Sequence, residues 1–111
     1  MQYLLELYEK DEDGIKEVLT KTYAQFEVLP FQIHNYLHSN DLYNLKLICH
    51  KMANSALLVG AKKMQNYLFD LEEIIDSPSL SRQEIEDKVR LIEKALPYEL
   101  QSIRTYLQFY L

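Results

Sequence analysis

The feature that most constrains this chain is a recurrence of apolar side chains every three or four residues, carried through four successive blocks. The first block holds Ile15, Val18, Leu19, Tyr23, Phe26 and Leu29, and the second Leu42, Leu45, Ile48, Cys49, Met52, Ala56 and Val59. Ala61, Met64, Leu68, Leu71 and Ile75 make the third, and the fourth runs from Ile85, Val89, Ile92 and Leu96 on to Leu100, Ile103, Tyr106 and Leu107. That spacing places each set on one side of an α-helix, not on one face of a strand. Ser39-Asn40-Asp41, Gly60 and Ser77-Pro78-Ser79 punctuate the blocks. With two glycines and three prolines in 111 residues, the chain lacks the turn-forming residues an all-β domain needs. Its length suits a single domain around one core. Short links between consecutive helices favour an all-α, antiparallel up-down four-helix bundle.

The boundaries follow from capping chemistry. Asp11-Glu12-Asp13 offers a cap and acidic charge for a helix that begins near residue 12 and runs to about Leu37. Pro30 falls inside it, where a kink or break is expected. Asp41 caps a second helix to about residue 58, and Gly60 opens the passage to a third that ends before Ser77. Ser81 with Glu84 forms a capping box for the last helix, in which Pro97 again predicts a kink. Leu4, Leu5 and Leu7 suggest a short extra helix at the N-terminus.

Charge and composition exclude several classes. A net charge of -5, with no cluster of lysines and arginines, lacks the basic footprint of a nucleic-acid binder. No apolar run approaches the roughly 20 residues of a membrane span, and Met1-Gln2-Tyr3-Leu4-Leu5-Glu6 lacks the basic end of a signal peptide. The lone Cys49 cannot form an internal disulfide, so a cytoplasmic protein is expected.

The second helix carries the chemistry. On a helical wheel His50 lies roughly 130° from the centre of the apolar stripe, so its imidazole faces water. Tyr43, Leu47, Leu57 and Leu58 surround it where a solvated helix would place charge. Exposed apolar residues around one titratable nucleophile suggest a docking surface. Ala53 and Asn54, one turn on, are small and leave room for a partner to approach the ring. A neutral imidazole is a competent nucleophile near neutral pH.

The segment His50-Lys51-Met52-Ala53-Asn54-Ser55-Ala56-Leu57-Leu58-Val59-Gly60-Ala61-Lys62-Lys63-Met64, followed by Leu68 and Leu71-Glu72, resembles the signature of histidine-containing phosphotransfer (HPt) domains. Met52, Ser55, Gly60, Ala61, Met64, Leu71 and Glu72 fall at the family's positions, and the run from Leu37 to Leu42 is similar to its approach to the active helix. The resemblance implies that His50 accepts a phosphoryl group from the aspartate of a response-regulator receiver domain, including those of hybrid sensor kinases, and passes it to another receiver. It implies a carrier with no cofactor of its own, the Mg²⁺ belonging to the receiver. Without a nucleotide-binding glycine loop the chain should not phosphorylate itself.

Two positions depart from the family. Ala53 stands where a lysine usually neutralises the phosphoryl group, and Asn54 stands where glycine is usual, although its amide can donate a hydrogen bond to a phosphoryl oxygen. Lys46 is the candidate substitute cation. It lies one turn before His50, and helical side chains lean toward the N-terminus. Lys51 sits about 100° around the helix, and Lys62 and Lys63 belong to the next one.

Other clusters carry less. His34 and His38 could share a metal at their i,i+4 spacing, but a third ligand is not evident and no metal site is expected. The nine tyrosines suit core and interface positions with a wet hydroxyl, and Glu6, Glu9, Asp11, Glu12 and Asp13 suit a solvated cap. A monomer is expected. Two other readings stand beside the carrier: a degenerate HPt or helical interaction module that binds a receiver without turnover, and a structural dimer built on Leu47, Leu57 and Leu58.

Overall fold

The computed structural model describes residues 11–110, which form four helices: α1 (Glu12–His38), α2 (Leu42–Leu58), α3 (Lys62–Asp76) and α4 (Arg82–Tyr110). The short opening helix expected at Leu4, Leu5 and Leu7 lies outside the described residues.

Each start and stop has a local cause. Asp11 Oδ1 accepts the backbone N–H of Gly14 at 3.0 Å, filling one of the unpaired donors at the start of α1. Asp41 does the same for α2, accepting the N–H of Asn44 at 3.1 Å and its side-chain amide at 2.6 Å. Those two bonds, the side-chain one foremost, hold the Asp41 carboxyl below its ordinary range. At the end of α1 the N–H groups of Asn40 and Asp41 donate to the carbonyls of Leu37 and Tyr36, with Asn40 at φ 56°. The end of α2 repeats this motif, Gly60 to Leu57 and Ala61 to Ala56, with Gly60 at φ 75°. Both are Schellman turns, which need a residue tolerant of the left-handed region at that point. For α4, Ser81 Oγ accepts from the Glu84 N–H at 3.3 Å, one half of the capping box.

Neither internal proline breaks its helix: α1 continues through Pro30 and α4 through Pro97. Each removes one backbone donor, and the packing on both sides carries the helix past it.

The helices pack in chain order, α1 on α2, α2 on α3 and α3 on α4, with α4 closing the ring on α1. Side-chain links show the directions. Lys46 meets Asp76 while His50 meets Glu72, so α2 and α3 run antiparallel. His34 meets Glu93 while Tyr23 meets Arg104, so α1 and α4 do too. The architecture is therefore an antiparallel four-helix bundle, as the apolar spacing predicts. Its core takes Ile15, Leu19, Phe26, Leu29 and Ile33 from α1, Leu45, Cys49, Met52 and Ala56 from α2, Met64, Leu68 and Leu71 from α3, and Ile85, Val89, Ile92, Leu96 and Ile103 from α4. Among the described residues no helix is long and apolar enough to cross a membrane.

Candidate functional site

Residues 43, 47, 50, 54 and 57 recur at the spacing of a single helical stripe, and all five side chains on it, Tyr43, Leu47, His50, Asn54 and Leu57, are exposed. The stripe faces away from the core because Leu45, Cys49, Met52 and Ala56 occupy the other side of α2. Leu58 stands half-buried at its edge. Ala53 departs from expectation. It is fully buried and belongs to the core, so it presents nothing to a partner. The reason is angular: it lies about 60° from His50 but only about 40° from Cys49, and a methyl group that small is covered by its neighbours.

α3 completes the site. Glu72 places both carboxylate oxygens 3.1 Å from Nδ1 of His50. The Phe69 ring stands one turn earlier on α3, its centroid 6.1 Å from that of the imidazole and tilted by 56°. His50 keeps 58 % of its side chain exposed, whereas Glu72 keeps 19 %. A carboxylate can only accept, so Nδ1 carries the proton in this contact and the outward Nε2 presents its lone pair when the ring is neutral.

Lys46 is engaged elsewhere. Its ammonium meets Asp76 at 2.9 Å, and that hydrogen bond holds its pKa above the ordinary value. The cation expected beside His50 is thus shared with a carboxylate one turn along α3. Behind the imidazole, the Cys49 thiol is pushed up to about 12, first by burial and then by the negative charge of Glu72. Ser55 donates to Gln25 at 3.0 Å and ties α2 to α1 beneath the stripe. An open pocket of about 210 Å³, lined by Leu57, Gly60, Lys62 and Gln65, lies at the far end.

His34 and His38 do not join this site. His34 Nε2 lies 2.8 Å from Glu93 on α4, and among the described residues no cluster of three or more His, Cys, Asp or Glu is placed to hold a metal ion. Of the residues that matter here, the wheel identified those on α2 and missed those on α3. Glu72 stood in the family pattern without a role, and Phe69 and Asp76 carried no signal of their own.

Comparison of the chain with protein-family models, with curated proteins and with solved structures gives no match.

Proposed function

We propose that this protein is a phosphoryl carrier of the HPt kind, accepting a phosphoryl group on Nε2 of His50 from the aspartyl phosphate of a receiver domain and returning it to another receiver. The observation that carries the reading is an exposed imidazole, held at Nδ1 by a carboxylate, in the middle of an exposed apolar stripe. In the forward step Nε2 forms the N–P bond, the P–O bond to the aspartate breaks, and the aspartate leaves as a carboxylate. The ring becomes cationic, with the Nδ1 proton retained and the charge facing Glu72. In the reverse step the same proton keeps the ring a good leaving group. Tyr43, Leu47, Leu57 and Phe69 supply apolar area for docking, and polar groups at the edge supply orientation. The divalent cation that the resemblance assigns to the receiver would enter with the partner. A cytoplasmic carrier is the matching location.

The pairing of Lys46 with Asp76 favours a second reading, receiver binding without turnover, because it commits the expected cation to a carboxylate and leaves the imidazole facing Glu72. One experiment separates them. The protein is incubated with phosphorylated receivers of its own organism, and acid-labile label is followed on the parent, His50→Gln, Tyr43→Asp and Leu57→Asp. Transfer to the parent, abolished by His50→Gln and weakened by the two aspartates without loss of fold, supports the carrier. Binding without label supports the second reading, and label on His34 or His38 overturns the assignment of His50.

A further inference from the structure

On the opposite side of α3 from Phe69 and Glu72, a second surface runs along the seam with α4. An open groove of about 410 Å³ is walled by Tyr67 and Lys63 from α3 and by Leu91, Lys94, Ala95 and Tyr98 from α4. Its surface is largely apolar and uncovered: Tyr98 is 78 % exposed and Leu91 40 % exposed. Two aromatic or aliphatic side chains left open seven residues apart on one helix form a stripe that another helix can pack against.

The rim of this groove is basic in a chain whose acids outnumber its bases by 17 to 12. Lys88 is held in place, 3.2 Å from Asp70 and with its ammonium 5.5 Å from the centre of the Tyr67 ring, so it stiffens one wall. Lys63 and Lys94 are different. Both are exposed, and among the described residues neither meets a carboxylate within ion-pair distance. Glu99, half-buried at the Tyr98 end, is the acidic group of the lining among the described residues. It would repel a carboxylate there and so confines an occupant's negative charge to the Lys63 and Lys94 stretch.

We propose that the α3–α4 groove is a docking site for an acidic amphipathic helix of a partner protein. The occupant's apolar stripe would lie over Leu91, Ala95 and Tyr98, and its flanking carboxylates would reach Lys63 and Lys94. Because Tyr67 and Asp70 point to α4 while Phe69 and Glu72 point to α2, this partner and a receiver on the His50 face could be bound together. The site does not depend on phosphoryl transfer.

The test uses the full chain and a fluorescein-labelled helical peptide with leucines at i, i+3, i+4 and i+7 and glutamates on its other face, followed by anisotropy. A second peptide with lysine in place of glutamate and vesicles containing phosphatidylserine are run beside it. The glutamate peptide should bind, weaken as salt rises, and lose about tenfold or more in affinity to the exposed-site double variant Lys63→Glu/Lys94→Glu. Tyr98→Ala should weaken it with little change in salt dependence, and His50→Gln should bind it as the parent does. Equal binding of the lysine peptide, indifference to the double variant, or binding of the vesicles alone would overturn the proposal.

Discussion

Glu72 holds Nδ1 of His50 with both carboxylate oxygens, at 3.1 Å each, across the interface between α2 and α3. This contact places the proton of the neutral ring on Nδ1 and, in the proposed carrier, would leave Nε2 to react. Phosphorylation should therefore give the Nε2 phosphohistidine, read from the nitrogen and phosphorus resonances of the labelled protein. Glu72→Ala should redistribute the neutral ring between its tautomers and slow transfer by about ten- to a hundredfold, as loss of a group that orients a catalytic base commonly does. An unchanged tautomer ratio in that variant would remove Glu72 from the mechanism.

Asp76 draws Lys46 into an ion pair at 2.9 Å. Freed from it, the ammonium would stand one turn from His50 on the side of the Glu72 carboxylate. Asp76→Asn should then speed transfer several-fold, and the gain should vanish in a Lys46→Ala background. Single-turnover labelling of the four proteins measures this coupling. Equal gains in both backgrounds would mean that Asp76 acts on the phosphoryl group directly by repulsion.

Ala53→Lys would restore the residue that HPt domains usually carry, but Ala53 is fully buried. A lysine stem there must force its way out between α2 and its neighbours to bring its charge to water. The substitution should cost about 1–3 kcal/mol, the usual range for overpacking, and lower Tm. A melting temperature equal to the parent's would show that the stem escapes without displacing the core.

The Cys49 thiol is fully buried and pushed up to about 12, although its neighbour in sequence is the exposed His50. Ellman's reagent should leave it untouched at pH 8 and modify it at once in urea. The unfolded thiol ionises near its ordinary value of 9.0, the folded one much later. Its contribution to stability is therefore full below about pH 9 and lost as pH rises toward the folded value. Denaturation followed between pH 8 and pH 11 should show that decline, and Cys49→Ala should flatten it.

Helix boundaries were legible because they are local. Asp11, Asp41, Gly60 and Ser81 act on backbone groups within a few residues of themselves, and their chemistry can be read without knowing any other part of the fold. The outward position of His50 was legible for the same reason, since one wheel suffices. Ala53 was misplaced because a wheel gives angles but not how far neighbouring helices reach around a side chain as small as a methyl. Glu72 and Asp76 could not be paired with His50 and Lys46 from the pattern of either helix alone, because the pairing depends on how far α3 is slid and turned against α2. At the prolines the structure decides one point, that neither helix breaks: both run on through Pro30 and Pro97, and the lost backbone bond is outweighed by packing along their lengths.

The tight reversal at Gly60 has a mechanical consequence. Because it returns the chain in so few residues, the spacing of 22 between His50 and Glu72 is a machined length and not a mere count. One residue inserted between Val59 and Lys62 would advance α3 like a screw, by about 100° of rotation and about 1.5 Å of travel. Either the core threads would strip or the carboxylate would turn away from the imidazole. A chain built this way can vary its helix surfaces outside the proposed docking faces, yet the gauge of the hinge has to be kept.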